Sequence, residues 1–187
     1  MDKFQNKYRI PSARLQHWDY RWAGAYFITI CTQNREHYFG EIINGEMQLS
    51  NTGVIADILW HQIPHHTQNV ELGAFVVMPN HIHGILIINE SAVETLHATS
   101  LPLSTEPPTA KNQQMANISP KSNSISTIVR SYKSAVSKHA HRLGFELEWQ
   151  PRFHDHIIRD DKSFQNITNY ILNNPANWRE DKFFNQE

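Results

Sequence analysis

Apolar residues along the chain fall into runs of two kinds, and the period of each run predicts an element. Tyr26-Phe27-Ile28-Thr29-Ile30-Cys31-Thr32 is dense in aromatic and β-branched residues and predicts a strand. Phe39-Gly40-Glu41-Ile42-Ile43 and Glu46-Met47-Gln48-Leu49 flank Asn44-Gly45, a dipeptide that tolerates the left-handed backbone a two-residue hairpin needs. The period then lengthens. Val54, Ile55, Ile58, Leu59 and Ile63 recur at helical spacing behind a capping Ser50 or Asn51, with Pro64 marking the end. Two apolar strands follow, around Ala74-Phe75-Val76-Val77 and from His81 to Ile88. Further on, Ile125, Ile128, Val129, Tyr132 and Val136 make the apolar stripe of a helix whose other side offers Arg130, Lys133 and Lys138. A last helix starts at Asp160 or Asp161, carries Phe164, Ile167, Ile171 and Leu172 as its core stripe, and stops before Pro175.

That order predicts an α+β fold, a central antiparallel sheet with helices packed on it. The 187 residues, 40% of them apolar, suffice for one domain with a real core. Residues 89–124 change to Ser, Thr, Pro, Asn, Gln and Ala and lose apolar periodicity, so they read as a flexible insertion within a single domain spanning 1–187. No stretch reaches the roughly 20 apolar residues needed to span a bilayer, and the N-terminus lacks a signal-peptide core. The expected location is cytoplasmic, at the nucleoid if the ligand is DNA. The lone Cys31 excludes an intrachain disulfide and any multi-cysteine zinc site.

Net charge is only −1, yet it is unevenly spread. Residues 1–35 hold six Lys/Arg against two acids, 36–123 two against eight, and 124–187 nine against eight. A polyanion would meet favourable charge at the ends of the chain rather than its middle.

The strand from His81 to Ile88 poses the chemical question. Side chains alternate across a strand, so His81 and His83 point the same way a few ångströms apart, with Ile82 and Ile85 assigned to the other side. Two neutral imidazoles on one rigid strand make a chelating pair for a divalent transition metal. An isolated His-x-His is more often a hydrogen-bonded pair than a chelate, and the other histidines, including His65, His66, His139 and His141, fit that bland role. Context changes the reading. Met78-Pro79-Asn80-His81-Ile82-His83-Gly84 followed by an aliphatic strand resembles the His-hydrophobic-His signature of the single-tyrosine HUH transposases, including their REP-associated group.

A second stretch resembles the same family: Trp149-Gln150-Pro151-Arg152-Phe153-His154-Asp155-His156-Ile157-Ile158-Arg159-Asp160, then Asn169-Tyr170-Ile171-Leu172-Asn173-Asn174-Pro175. The likeness runs from about Arg14 to Trp178, apart from residues 89–124. It implies the HUH sheet-and-helix fold, of ferredoxin or RRM-like layout, and makes Tyr170 the nucleophile. Independently, Tyr170 lies about 130° around its helix from the centre of the apolar stripe, so it is not an obvious core residue. Asn174 lies one turn further on the same side, and the resemblance makes it the third metal ligand beside His81 and His83. Two imidazoles and an amide oxygen suit Mg²⁺ or Mn²⁺. Tyr132, a rival phenol, falls on an apolar stripe and lacks the Asn-Pro partner.

The resemblance implies a metal-dependent endonuclease and strand transferase acting on single-stranded DNA next to hairpins formed by palindromes, through a 5′-phosphotyrosine linkage. It embraces monomers and homodimers. Arg9, Arg14 and Arg21 near one end, and Arg130, Lys133, Lys138, Arg152 and Arg159 near the other, could hold the DNA backbone, while Trp18, Trp22 and Phe153 could stack on unpaired bases. His154 and His156 repeat the i, i+2 relation and fit a structural or DNA-contact role better than a second metal site. Two other readings stay open: a nucleic-acid-binding module of α+β fold without catalysis, and a metal-dependent hydrolase of small molecules.

Overall fold

The computed structural model describes residues 22–89 and 124–184, together with the backbone of 3–4 and 7–8, where β1 (Lys3–Phe4) pairs antiparallel with β2 (Lys7–Tyr8). Four strands form the central antiparallel sheet: β3 (Gly24–Cys31), β6 (Val70–Met78), β7 (His81–Ile88) and β8 (His154–Ile158), in the order β6-β7-β3-β8. A separate hairpin joins β4 (Gly40–Ile43) to β5 (Glu46–Leu49). Its turn is Asn44-Gly45, with φ of 54° and 81°, the mirror-image turn whose twist matches that of the strands. The helices are α1 (Asn51–His61), α2 (Ile63–His66), α3 (Ile125–Arg142) and α4 (Asp161–Asn173). Ser50, Ser124 and Asp160 cap α1, α3 and α4 by accepting from the backbone N–H three residues on. The expected α+β architecture is the one observed. Of the expected insertion, Asn89 and Ser124 belong to ordered structure and 90–123 lie outside the described residues.

Strand alternation divides the sheet into two unlike faces. Tyr26, Ile28 and Ile30 of β3, Ile82 and Leu86 of β7 and Ile157 of β8 pack with Ala56 and Trp60 of α1 and Ile128, Val129, Tyr132 and Val136 of α3 in the main core. On the other face Ile85 and Ile158 meet Ile171 of α4, with Phe27, Phe164 and Ile167 against them. Ile85 therefore lies on the histidine side, and its assignment to the Ile82 side is corrected; the two-residue period from 81 and 83 requires it.

Two helices sit rotated from the expected stripes. In α1 the buried residues are Thr52, Gly53, Ala56 and Trp60, while Val54 and Ile58 are 42% and 53% exposed. The largest side chain decides: Trp60 stacks on Phe75, with centroids 4.6 Å apart, and its ring lies over Gly84, where an added Cβ would sit 2.2 Å from Trp60 Cζ2. That contact explains the glycine after the two histidines. In α4, Leu172 is 62% exposed, and the inward row runs through Ile167 and Ile171 to the buried Asn174 just past the helix. The apolar stripe thus ends in a polar residue at the site. Strand β8 follows from no periodicity in the sequence; its register opposite β3 sets His154 beside Thr29 and His156 beside Phe27. Both histidines are exposed, on the same face as His83.

Candidate active site

The site is built on β7 where it leaves the two-residue Pro79-Asn80 turn. Strand pairing puts Cys31 opposite His81 and Thr29 opposite His83. Both imidazoles are fully buried, with ring centroids 4.4 Å apart. Each Nδ1 is already engaged: His81 Nδ1 with Asn80 Oδ1 at 2.9 Å, His83 Nδ1 with the Thr29 hydroxyl at 2.9 Å. Asn80 can present its oxygen in only one sense, because its Nδ2 donates to the Phe183 carbonyl at 2.9 Å. The His81 proton must therefore sit on Nδ1, leaving the Nε2 lone pair bare. Thr29 is less restrictive, since a hydroxyl can donate or accept.

Helix α4 brings the phenol to this pair. Tyr170 Oη lies 3.2 Å from His83 Nε2 and donates to Asp181 Oδ2 at 2.9 Å. Phe27 supports it edge-on, with centroids 6.1 Å apart. Tyr170 remains 40% exposed, open to a ligand. One turn further, buried Asn174 donates through Nδ2 to the same Asp181 oxygen at 2.8 Å. The other carboxylate oxygen of Asp181 accepts from the Phe183 N–H at 2.7 Å.

Electrostatics follow from burial. His83 is pushed down to about 3 by desolvation, which the Asp181 charge only partly opposes. His81 is lowered well below the usual histidine range, first by burial, then by His83 and the cations Arg35 and Lys182. Both rings are neutral near pH 7, and the lone pair on His81 Nε2 is available. Tyr170 is raised above the ordinary phenol value by burial and by the hydrogen bond and charge of Asp181, partly offset by Asn174.

Two buried atoms here have no hydrogen-bond partner, His81 Nε2 and Asn174 Oδ1. Both are electron-pair donors, the deficit a cation would satisfy. His81, His83 and Asp181 each offer a ligand atom, all within 4.8 Å of one another. The donor set of imidazole nitrogens, amide oxygen and carboxylate fits a divalent metal.

The structure thus brings His81, His83, Tyr170 and Asn174 together. Asp181 has no signal in the sequence, and Asn80 and Thr29, though they stand in the quoted motif and strand, gain their roles only through the turn and strand pairing that set them against the imidazoles. The basic residues are dispersed. Arg130, Lys133 and Arg152 line one cavity of about 250 Å³ with Phe153, beside α3 and hence across the sheet from the histidines. Lys133 is tied there, its amine donating to the carbonyls of Gln150 and Arg152 at 2.8 and 3.1 Å. Lys138 and Arg159 are exposed and line none of that cavity. Trp22 is exposed, and Arg9, Arg14, Arg21 and Trp18 lie outside the described residues. Tyr132 is fully enclosed in the main core, its hydroxyl donating to the Ala56 carbonyl at 2.8 Å. No helix among the described residues is long and apolar enough to cross a membrane.

No family model matches the chain. An uncharacterized protein of Haemophilus influenzae is 40% identical over 178 residues, which cover 92% of each chain. Among solved structures, that of a REP-associated tyrosine transposase bound to a REP hairpin is similar at 20% identity, with a TM-score of 0.58, covering 90% of this chain and 74% of that one. The fold is therefore similar to that of this solved transposase structure.

Proposed function

The chain belongs to the same family as the Haemophilus influenzae protein, and for its site we propose metal-dependent cleavage and rejoining of single-stranded DNA beside hairpins. One observation carries this reading: the Tyr170 oxygen stands 3.2 Å from a buried imidazole nitrogen, in a pocket where the His81 nitrogen and Asn174 oxygen lack partners. A nucleic-acid-binding module without catalysis would leave those two buried atoms unsatisfied for no purpose. The REP hairpin bound by the structural relative supports the same class of ligand.

His81 Nε2, His83 Nε2 and Asn174 Oδ1 would hold a divalent cation, Mg²⁺ or Mn²⁺, with Asp181 in reach. When bound, it supplies Lewis-acid polarisation of a nonbridging phosphate oxygen. The other parts belong to the chain. Asn80 and Thr29 orient the imidazoles. Phe27 braces the phenol, and its partial exposure leaves the approach to phosphorus open. Attack forms a bond from Tyr170 Oη to phosphorus and breaks the bond from phosphorus to the 3′ oxygen of the departing strand, which takes a proton from solvent and leaves as a free 3′-hydroxyl. The phenolic proton has an acceptor in place, Asp181 Oδ2. Because the 5′-phosphotyrosine conserves the phosphodiester energy, a second 3′-hydroxyl can reverse the step on another strand. The whole chain serves as one domain carrying 89–124 as an insertion, working in the cytoplasm on nucleoid DNA.

The test uses labelled single-stranded oligonucleotides that carry imperfect palindromes from the DNA flanking the gene, incubated with Mn²⁺ and run on a denaturing gel. A covalent adduct is expected from the natural protein and none from Tyr170→Phe, which should keep DNA binding. An adduct that survives in Tyr170→Phe, or in His81→Ala with excess chelator, refutes the assignment.

A further inference from the structure

Asn174 can turn either end of its amide towards the histidine pair, and only the oxygen end can hold a cation. Its backbone does not decide which. It closes α4 in helical geometry, φ −58° and ψ −42°, with its N–H donating to the Ile171 carbonyl at 3.3 Å and its carbonyl accepting from the Asn177 N–H at 3.2 Å. The choice is left to whatever the amide meets.

What it meets is Asp181, and a carboxylate only accepts hydrogen bonds. Asp181 Oδ2 accepts from Asn174 Nδ2 at 2.8 Å and from Tyr170 Oη at 2.9 Å, while Oδ1 accepts from the Phe183 N–H at 2.7 Å. With the nitrogen drawn to Asp181, Asn174 Oδ1 is left as the buried atom without a hydrogen-bond partner. Asp181 is itself firmly placed. It follows the 3₁₀ turn Trp178–Glu180, its N–H donating to the Trp178 carbonyl at 3.1 Å and its carbonyl accepting from the Phe184 N–H at 2.9 Å, and both Trp178 and Phe183 are buried. A carboxylate oxygen also lies within 4.8 Å of the ligand atoms of His81 and His83, close enough to act on a cation by charge alone.

We infer that Asp181 is a positioning residue for the cation site, holding the Asn174 amide with its oxygen free for the metal. The ligand on α4 is thus set by a residue seven positions further along the chain. An amide in place of this carboxylate shows the consequence. Its oxygen can keep the Phe183 N–H, but its NH₂ then faces Asn174, which must turn its own oxygen to that donor and its NH₂ to the cation. The inference rests on the metal-binding part of the proposed function and not on the chemistry of Tyr170.

The experiment follows Mn²⁺ binding to the full chain without DNA by the free-ion electron paramagnetic resonance signal. Asp181→Asn should weaken Mn²⁺ by about tenfold or more, the range for losing a group that orients a ligand. Part of that loss is the missing charge. In an Asn174→Ala background no amide is left to turn, so the same substitution should cost several-fold less than it does with Asn174 present. The exchanged pair, Asp181→Asn with Asn174→Asp, keeps the net charge and lets an amide at 181 donate to a carboxylate at 174; it should recover Mn²⁺ affinity to within several-fold of the natural protein. Equal losses in the two backgrounds, or an exchanged pair no better than Asp181→Asn alone, overturn the inference and make Asp181 a direct ligand or a bare charge. A natural protein that binds no Mn²⁺ overturns the metal reading and this inference with it. If the Mn²⁺ pattern holds but no adduct forms on the hairpin substrates, the cleavage reading fails and the positioning role stands.

Discussion

The two faces of the central sheet are made from alternate residues of the same strands, yet they have opposite characters. The face towards α1 and α3 is closed and apolar, and its one tyrosine hydroxyl from a helix, that of Tyr132, meets a backbone carbonyl. The face towards α4 buries Thr29, His81, His83 and Asn174 beside Phe27 and Ile85, and its phenol, Tyr170, is left 40% exposed. Odd positions of β7 therefore carry the chemistry and even positions the stability. Rigidity comes from the first face: two imidazoles can stand 4.4 Å apart with a bare nitrogen because the strand beneath them is clamped by Trp60, Leu86 and Ile82.

The sharpest way to break this division is Trp60→Ala. Removing a buried indole should cost about 3–5 kcal/mol in urea melts. The folded fraction should keep its Mn²⁺ affinity within about two-fold; a parallel collapse of metal binding would show that the faces are not separable.

Acid should act through the other face alone. His83 titrates at about 3 in the folded chain because of burial, against about 6.5 when unfolded. Between those values the unfolded chain holds a proton that the folded chain refuses, so stability is complete above about pH 6.5 and falls as pH drops towards 3. For this group the slope approaches at most about 1.4 kcal/mol per pH unit. His81 acts in the same direction. Urea melts of metal-free protein at pH 7, 6 and 5 measure it, and a flat profile would remove the claim of buried neutral imidazoles.

Asn80→Ala sharpens the comparison on the functional side. It frees the His81 tautomer and should weaken Mn²⁺ binding about 10–100-fold, with excess Mn²⁺ restoring adduct formation. The smallest effect belongs to Tyr132→Phe, which removes one hydroxyl–carbonyl bond from the apolar face. Expected are a loss of about 0.5–1.5 kcal/mol and an unchanged adduct yield; a lost adduct would mean that Tyr170 is the wrong tyrosine.

Much of this architecture is legible in the residues themselves. Asn44-Gly45 marks its hairpin because few residues accept two successive left-handed conformations. His81 and His83 share a face because a strand has period two, and Tyr170 and Asn174 share one because a helix has period 3.6. The rotation of α1 is not legible, because Val54 and Ile58 look equivalent to Ala56 and Trp60 on hydrophobicity alone. Which of them faces inward is decided by the space above Gly84. The basic residues carry no positional signal, and Arg130 and Arg152 lie across the sheet from the histidines.

By itself the sequence determined much that depends on neighbours a few residues apart: most of the central strands, the shared face of His81 and His83, the hairpin turn, and the pairing of a phenol with an amide one turn on. Tertiary structure alone decided what stands opposite those features. It set Thr29 beside His83 by strand pairing, fixed the His81 proton through Asn80 and the Phe183 carbonyl, and delivered Asp181 to Tyr170 and Asn174. The reason is physical. Local periodicity follows from covalent geometry, whereas contacts between distant segments follow from how the whole apolar surface is buried, and no short stretch encodes that.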